Sequence, residues 1–456
     1  MSVLEPLRYS SFRYLLTGRT INSLGNAIAP VALAFAVLDL TGSPSDLGLI
    51  VGTRMLVNVV FLLFGGALAD RMPKHHLMVG ASFAAAATQG AVAALVLSGT
   101  ATIPLLLALS AVNGMVSALA LPASSSILPQ LLPAEIRQQG NALSRLSFNG
   151  ATIVGAPLGG VIVASVGPGW GIAVDAVAFL LSGCAFALLR LPTVAAPAEV
   201  EPAPAEVEPA PAEVEPAPAV AEPAPDGGPT ADGGPAPERT GIFTDLRTGW
   251  SEFRSRTWLW VVVAGFAVIN AALSGGMSVL GPVVADATIG RRAWGFVLAA
   301  QTVGMVLGAL VAMRLTFGRL LFFGVACTAF EILPMLTLGV APHLGLLLAA
   351  AFLAGLGIEQ FVVALETSMQ EHVPTDKLAR VYSFDMVGSF VAIPVGQVAV
   401  GPIAQAVGVA PTLVGAAALT GLAVVGMLSS PDVRNLRHRL VASAQPAPAV
   451  MEESTR

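Results

Sequence analysis

Charged residues are scarce in this chain. Asp, Glu, Lys and Arg make up 11% of its 456 residues, whereas soluble domains carry about 25%. Hydrophobic residues make up 55%, and the mean hydropathy is +0.77. The apolar residues fall in runs of about 20 to 25, long enough for a helix to cross a hydrocarbon core about 30 Å thick. The composition therefore argues against a soluble enzyme and indicates an integral membrane protein with helical spans.

Cysteine pairs, excess positive charge and nucleotide motifs are missing too. Cys184 and Cys327 lie in apolar runs without CxxC spacing, so neither a disulfide framework nor a zinc site is expected. The net charge of -5 gives no basic surface for nucleic acid. No G-x-x-x-x-G-K-S/T sequence occurs, which disfavours direct ATP-driven pumping. Because no Ser/His/Asp set stands out either, the sequence predicts no enzyme, metal or cofactor.

Twelve apolar segments divide into two sets of six. They lie near residues 14–38, 47–69, 76–98, 102–123, 143–165 and 170–190, and then near 258–284, 293–315, 318–340, 344–369, 379–403 and 410–429. Cationic loops resist translocation and stay in the cytoplasm. With the N-terminus inside, all but four of the 23 Lys and Arg residues lie in inner segments. The exceptions are Arg19 and Arg54 within spans and Arg291 and Arg292 in an outer loop. We therefore predict a multi-pass protein with both termini cytoplasmic.

The two sets of spans repeat one another. Residues 241 positions apart match: Gly114 with Gly355, Pro133 with Pro374, and Glu135 with Asp376. Internal repeats of this kind are typical of transporters that bind cargo between two halves near the membrane midplane. The repeat therefore predicts an all-α integral membrane fold of twelve transmembrane helices in two pseudo-symmetric six-helix bundles.

A low-complexity stretch separates the two predicted bundles. We place the N-terminal bundle at 1–191, a cytoplasmic linker at 192–240, the C-terminal bundle at 241–430 and a cytoplasmic tail at 431–456. The linker repeats AEVEPAP from residues 198, 205 and 212. A proline in every repeat prevents a continuous helix, and the like charges favour an extended, disordered chain.

An amphipathic pattern follows the linker. Phe243, Leu246, Trp250 and Phe253 recur at roughly helical spacing among charged residues. This spacing predicts a segment, counted with the C-terminal bundle, that lies on the inner membrane face.

A short charged motif follows the second span. Gly66 precedes Asp70, Arg71, Pro73 and Lys74. Glycine permits close helix contact, and a carboxylate with two cations at the membrane surface can pair with helix ends in one conformation and separate in another. These residues are candidates for a gating motif. The alternative is that Arg71 and Lys74 only fix the topology.

This motif resembles the signature of the major facilitator superfamily, which reads roughly G-x-L-a-D-R-x-G-R/K between the second and third helices. Pro73 stands where the family usually has glycine, and the second-half copy has Ala312 where the aspartate would fall. The resemblance implies a transporter that works by alternating access, without enzymatic activity and usually as a monomer.

A second motif, in the fifth span, runs from Gly155 through Pro157 to Gly159 and Gly160. Gly155 and Gly159 form a face of small residues, and Pro157 bends the helix and removes a backbone donor. Generic helix packing is the alternative explanation. The motif resembles the antiporter motif G-P-x-x-G-G of drug exporters, in which it is thought to seal the cavity.

Three longer stretches of sequence point to one family within the superfamily. They are ALPASSSILPQLLPAEIRQQGNALSRLS, VDAVAFLLSG and LETSMQEHVPTDKLARVYSFDMVGSFVAIPVGQVAVGPIAQAVG. They resemble the third drug:proton antiporter family, which includes macrolide efflux and enterobactin exporter proteins. The resemblance implies proton-coupled efflux of an amphipathic drug, antibiotic or siderophore-like metabolite, hence multidrug resistance, at a bacterial inner membrane. The expected partners are a small-molecule substrate, protons and membrane lipid.

Charged side chains within spans are costly and usually face a cavity or a partner. Glu331 and Glu359 fall near the middle of the ninth and tenth spans, and Glu366 follows Glu359 by two helical turns. A buried carboxylate can take a proton from outside and release it inside, so these three are the proton-coupling candidates. A structural pair with an arginine or a helix end is the alternative for each.

Further polar residues are candidates for the cavity or for charge pairs. Asp175, in the outer part of the sixth span, and Asp385, near the inner end of the eleventh, favour a structural or gating role. The other candidates are Arg19, Arg54 and Asn113. Besides proton-coupled export, the pattern leaves open a uniporter or importer on the same fold, and a non-transporting sensor or scaffold that binds a partner through the acidic linker.

Overall fold

The regular structure of the described chain is entirely helical. The computed structural model describes residues 4–69, 74–125, 127–189, 250–315 and 317–438, and no strand occurs in these ranges. Backbone groups in lipid have no water partner, and a helix satisfies them within one segment. Eleven helices of the described chain are long and apolar enough to cross a membrane. A twelfth, Ile103–Ser125, contains the apolar stretch Ile103–Leu119.

We number the twelve long helices in chain order. The first six are α1 Ser10–Thr41, α2 Pro44–Ala69, α3 Lys74–Leu97, α4 Ile103–Ser125, α5 Arg137–Val166 and α6 Pro168–Ala187. The last six are α7 Thr257–Ala287, α8 Arg291–Ala312, α9 Leu320–Val340, α10 Leu344–His372, α11 Thr375–Phe390 continued by Ala392–Val407, and α12 Val409–Ser429. Short helices occur at Glu5–Arg8, Leu128–Leu131, Ala134–Ile136 and Pro431–Asn435.

The helices form two bundles with the same packing pattern. In the N-terminal bundle, α1 packs against α5 and α6, α2 against α4, and α3 against α4 and α6. In the C-terminal bundle, α7 packs against α11 and α12, α8 against α10, and α9 against α10 and α12. Each helix of the first bundle thus has the same neighbours as the helix six places later. This confirms the predicted fold of two pseudo-symmetric bundles.

Glycines of the repeat play equivalent roles in the two bundles. A Cβ atom on Gly114 of α4 would meet the carbonyl oxygen of Arg54 on α2, and one on Gly355 of α10 would meet the carbonyl oxygen of Gln301 on α8. Without a side chain, each glycine lets two helix backbones touch, as in small-residue packing between membrane helices.

Single glycines also make two equivalent turns. Gly167 joins α5 to α6 with φ 95° and ψ 163°, and Gly408 joins α11 to α12 with φ 95° and ψ 155°. Residues with a Cβ atom rarely adopt such positive φ values. The two turns lie 408 − 167 = 241 positions apart, which is the spacing of the sequence repeat.

In the described part of the chain, the two bundles share a hydrophobic core at one end of the molecule. At the end that holds the α1–α2 and α7–α8 turns, one hydrophobic core combines Phe35 and Val163 of the first bundle with Trp294 and Val297 of the second. At the end nearer the chain termini, each bundle has a core of its own. We call these the closed end and the open end.

Direct backbone contact holds the closed end together. The bundles touch along α5 and α8 and along α2 and α11. A Cβ atom on Gly295 of α8 would meet the carbonyl oxygen of Ala156 and lie 2.9 Å from Cα of Pro157, both on α5. On the other side, Gly48 of α2 faces the carbonyl oxygen of Gln397, and Gly401 of α11 faces the backbone of Ser45.

Three helices begin at least four residues earlier than the apolar pattern predicted. α1 starts at Ser10 rather than near residue 14, α5 at Arg137 rather than near residue 143, and α11 at Thr375 rather than near residue 379. Their first turns are polar, so hydropathy underestimates their length. Arg145, which we had counted among the inner basic residues at the very start of the fifth span, therefore lies two turns inside α5.

The amphipathic segment packs against protein where it is described. A short helix spans residues 250–254, and Phe253 is only 6% exposed because it enters the open-end core of the C-terminal bundle. Its ring stacks on Trp250, and Phe384 contacts both rings. Trp250 is 51% exposed, and the position of this segment on the inner membrane face stays a prediction. Residues 243–249 and the linker 192–240 lie outside the described residues.

An ion network fastens this short helix to the start of α11. Glu252 binds Lys377 at 2.9 Å and Arg256 at 2.6 Å. Hydrogen bonds from these two cations lower the pKa of Glu252. The network therefore persists at neutral pH and weakens as the pH falls through that lowered pKa.

Gly295→Val should separate the bundles at the closed end. The added side chain meets backbone atoms of α5, which cannot move aside as a side chain would. A cysteine introduced at Val163, which is 3% exposed in the shared core, should then react at least several-fold faster with a water-soluble maleimide, in a background without the native cysteines. Gly426→Val on α12 is the matched control, because nothing lies within 4 Å of its Cβ position. Equal labelling of the two variants would contradict the packing argument.

Candidate functional site

The N-terminal bundle forms the wall of a cavity of about 970 Å³. On α1, Arg19, Asn22 and Asn26 follow one another at helical spacing and line the cavity. On α5, Arg145 and Phe148 do the same, and the Phe148 side chain is 57% exposed. Arg145 interacts electrostatically with Glu359 of α10, so the cavity borders the gap between the bundles.

Arg54 and Asp175 lie together in the N-terminal bundle. Arg54 lines the cavity about 15 Å from the closed-end start of α2. Asp175 on α6 is 1% exposed and interacts electrostatically with Arg54. Its Oδ2 accepts a hydrogen bond from Gln89 Nε2 of α3, while no hydrogen-bond partner of Oδ1 is described. The aspartate predicted near the outer boundary is thus enclosed in the bundle.

Gly25 makes room for this carboxylate. A Cβ atom at Gly25 of α1 would lie 2.6 Å from Asp175 Oδ1 and 2.7 Å from the Ala178 side chain. The Arg54–Asp175 pair is therefore built by four helices, α1, α2, α3 and α6.

Most buried amides bond between helices instead of lining the cavity. Asn113 Nδ2 donates to Thr88 Oγ1 at 3.1 Å, and Asn58 Nδ2 donates to the carbonyl oxygen of Gly114 at 3.1 Å. In the C-terminal bundle, Gln360 Nε2 donates to the carbonyl oxygen of Gly308 at 2.6 Å. For Asn113, these contacts favour the packing alternative over a cavity role.

Three carboxylates of the C-terminal bundle form an acidic group. Glu359 is half-buried and interacts electrostatically with Glu366 as well as with Arg145. Asp385 on α11 is half-buried, interacts electrostatically with Glu366, and accepts a hydrogen bond from Ser389 Oγ at 3.5 Å. The structure thus brings together Glu359, Glu366 and Asp385, which the sequence had given different roles.

Glu331 lies apart from this group. It ends a 3-10 turn, Thr328–Glu331, in the middle of α9. The side chain is 0% exposed, and neither oxygen has a described hydrogen-bond partner. Burying a carboxylate without a partner is costly, so this position is unusual, although it does not line the cavity as described.

The antiporter-like motif lies where three helices meet. Cβ positions on Gly155 and Gly159 of α5 face Ala27 and Ile28 of α1, while that on Gly160 faces the carbonyl oxygens of Arg291 and Arg292 on α8. Pro157 lies within α5, which remains one continuous helix. The motif therefore belongs to the closed-end contact between the bundles.

An ion pair also joins the bundles at the closed end. The Arg291 guanidinium binds both carboxylate oxygens of Asp39, at 2.5 and 2.9 Å, and its Nε donates to Asp286 Oδ1 at 2.7 Å. The guanidinium also lies over the Phe35 ring, 4.9 Å from its centroid. Asp39 belongs to the N-terminal bundle, so this contact crosses the interface.

The predicted gating motif cannot be placed in this arrangement. Asp70 and Arg71 lie outside the described residues, and the side chain of Lys74 is not described either. Gly66 lies in α2. The gating role of these four residues stays a prediction.

Sequence reasoning missed Gln89, Asp39 and Arg145. Gln89 and Asp39 gave no signal, because each acquires its role from a distant partner. For Arg145, the polar positions Asn141, Arg145 and Thr152 recur along one face of α5, and all three line the cavity. Extending the fifth span to Arg137 would have revealed this stripe. Among the described residues, no group of three His, Cys, Asp or Glu side chains is arranged to hold a metal.

Comparison with known proteins decides the family. The Major Facilitator Superfamily model matches residues 15–384. The chain belongs to the major facilitator superfamily. A curated relative, the uncharacterized MFS-type transporter YfiS of Bacillus subtilis (strain 168), is 31% identical over 169 residues. That match covers 37% of this chain and 39% of the relative's length.

Solved structures of other superfamily members share the fold. A bacterial homologue of the human lysosomal transporter Spinster, in an inward-facing and unoccupied conformation, superposes with a TM-score of 0.67 at 15% identity, covering 93% of this chain and 97% of that one. The nucleoside transporter NupG gives 0.65 at 12% identity, with 92% and 98% covered. A bacterial homologue of the iron transporter ferroportin gives 0.63 at 12% identity, with 94% and 100% covered. Family and fold indicate a transporter rather than an enzyme.

Loss of the Asp39–Arg291 pair should loosen the closed end of this superfamily member. Asp39→Asn removes a bidentate contact worth about 1 kcal/mol at an exposed site. We expect labelling of the Val163→Cys reporter to rise by roughly five-fold. Asp286→Asn is the control, since Asp286 contacts the same arginine from within the C-terminal bundle. If the reporter cysteine is labelled equally fast in both variants, the Asp39–Arg291 pair does not hold the closed end together.

Arg54 and Asp175 should show measurable thermodynamic coupling. They interact without a direct ion pair in the described chain, so Arg54→Met should destabilise the protein by only about 1 kcal/mol through the lost attraction to the buried carboxylate. Adding Asp175→Asn removes that charge and should restore part of the loss. Thermal unfolding of both single variants and the double variant in detergent measures the coupling. Additive losses would show that the two side chains act independently.

Proposed function

We propose that this chain is a secondary active transporter that exports amphipathic small molecules in exchange for protons. The observation that carries the proposal is a polar cavity beside the gap between two bundles whose described residues share a core at one end and have separate cores at the other. Such a conformation is one of the two states that alternating access requires, since a rocking motion of the bundles exposes the site to each side in turn.

We assign the open end to the cytoplasm of a bacterial cell. The N-terminal helix begins at this end, and most Lys and Arg residues lie in segments that reach it, as expected for cytoplasmic loops. Cargo then enters the cavity from inside the cell. The proposed domains are the two bundles, the linker at 192–240 and the tail, with both termini cytoplasmic and the protein acting as a monomer.

We assign proton coupling first to Glu359. A coupling carboxylate must exchange its proton with water in one state and lose that access in another. Glu359 is half-buried and interacts electrostatically with Arg145, which lines the cavity, and Glu366 continues the path toward the open end. Glu331 is fully enclosed, so its proton can exchange only after a rearrangement of the C-terminal bundle. We therefore rank Glu331 second.

The direction of transport rests on the antiporter-like motif and on the resemblance to drug exporters. Pro157 and Gly160 lie in the contact that closes the proposed outer end, where a leak would dissipate the gradient. Gly155 and Gly159 pack the same helix against α1. The drug, antibiotic or siderophore-like class of cargo comes from the same resemblance. The nucleoside and iron transporters named above share the fold and supply no argument for the cargo.

Glu359→Gln should abolish gradient-driven export. Reconstituted protein is given a panel of amphipathic compounds with and without an imposed pH gradient. Wild type should move at least one compound faster with the gradient, whereas the variant should lose that acceleration by at least ten-fold because its side chain carries no exchangeable proton.

Glu371→Gln provides the matched control. Glu371 lies on the same helix but is paired with His438 at 2.7 Å, away from Arg145. Its gradient-driven flux should equal that of wild type. Flux without any gradient dependence would indicate a uniporter, and inward flux an importer. No flux of any compound would favour the sensor or scaffold alternative.

A further inference from the structure

The charges of the two bundles differ in sign around the cavity. Three guanidinium groups line it: Arg19 from α1, Arg54 from α2 and Arg145 from α5. Among the described residues that form its wall there is no carboxylate. The wall formed by the N-terminal bundle is therefore cationic, while Glu359, Glu366 and Asp385 lie across the gap on the C-terminal bundle.

The nearby carboxylates form no short ion pair with Arg54 or Arg145 in the described chain. Asp175 interacts with Arg54 from within the bundle, and one of its oxygens is already bonded to Gln89. Glu359 belongs to the opposite bundle, where it also interacts electrostatically with Glu366. Arg54 and Arg145 remain in contact with the cavity.

The cationic wall stabilises an anion bound against it and destabilises a cation bound there. Charges in a cleft with low-dielectric walls interact more strongly than in bulk water, and a wall of one sign concentrates ligands of the other sign. Guanidinium groups also bind carboxylates in a planar two-point contact. Asn22 and Asn26 add amide groups on the same face of α1.

Aromatic surface lies next to the charges. Phe148 follows Arg145 by about one helical turn, lines the cavity and is largely exposed to it. Phe179 and Phe186 complete the same wall. A ligand that fits this wall has an anionic group beside an apolar or aromatic body.

We propose that the cargo is an amphipathic organic anion, bound by Arg145 with its apolar body against Phe148. Arg19 and Arg54 supply further positive charge along the same wall. This inference rests on the proposed transport function and defines its cargo, which the sequence had left as amphipathic without a sign of charge.

Binding to purified protein in lipid nanodiscs tests the charge preference without any gradient. The probes are naphthyl, biphenyl and pyrenyl compounds, each carrying an acetate, acetamide or ethylamine group. We expect at least one acetate to bind ten-fold or more tightly than the amide and the amine with the same ring system. Isothermal titration calorimetry gives the dissociation constants.

Arginine variants locate the preference. Arg145→Gln and Arg19→Gln should each reduce acetate binding about ten-fold and leave amide binding unchanged. Arg254→Gln is the matched control, because Arg254 is exposed in the short helix before α7 and lies outside this cavity. Melting temperatures of all variants establish that they fold.

The outcomes separate this inference from the transport proposal. A preference for acetate that is lost in the arginine variants supports the anionic cargo. If such binding occurs but no probe is transported, only the transport proposal fails. Equal or tighter binding of amines, no acetate preference among the nine probes, or a preference that survives both substitutions overturns the anionic cargo. Gradient-driven flux of an amine would support the transport proposal and overturn the proposal of an anionic cargo.

Discussion

Direct contact between helix backbones at the closed end is the constraint on which the rest of the structure depends. Lipid offers no hydrophobic drive for helices to associate, so close packing must hold membrane helices together. Gly295 on α8 and Gly48 on α2 let the carbonyl groups of the opposite bundle approach where a side chain would otherwise stand. The glycine contacts lie on both sides of the interface, at α5–α8 and at α2–α11. They allow the bundles to join at one end while a cavity remains at the other.

The pseudo-symmetry of the backbone contrasts with the asymmetry of the charges. Gly114 and Gly355 have equivalent packing, and Gly167 and Gly408 make equivalent turns. The charged residues do not follow the repeat: the cavity arginines belong to the first bundle, and the group of Glu359, Glu366 and Asp385 belongs to the second. Equivalent helices thus carry different chemistry: one bundle offers guanidinium groups to a ligand, and the other offers carboxylates that can exchange protons. In the proposed exchange, this division would place cargo and proton at separate sites in one cleft, coupled by the effect of each on the affinity for the other.

Patterns that arise within one segment were predictable from the sequence, and contacts between segments were not. Apolar runs gave the twelve spans and the repeat gave the two bundles, because both follow from lipid burial and backbone pairing. The cavity stripe of Asn141 and Arg145 was missed because hydropathy cannot distinguish the polar first turns of α5 from a loop. The enclosure of Asp175 and the cross-bundle pair of Arg291 depend on which helices meet. No spacing along the chain encodes those partners.

The charge pairs at the two ends of the molecule favour opposite conformations. At the closed end, Arg291 and Asp39 already pair across the bundles, whereas at the open end Arg145 and Glu359 face each other at longer range. Rocking that opens the first contact brings the second pair closer. In the proposed exchange, a proton on Glu359 would weaken the attraction across the open end, and an anion bound at Arg145 would compete for the same guanidinium. Cargo and proton would then act on one electrostatic contact, each changing the free energy of closing the cavity only through its differential affinity for the two states.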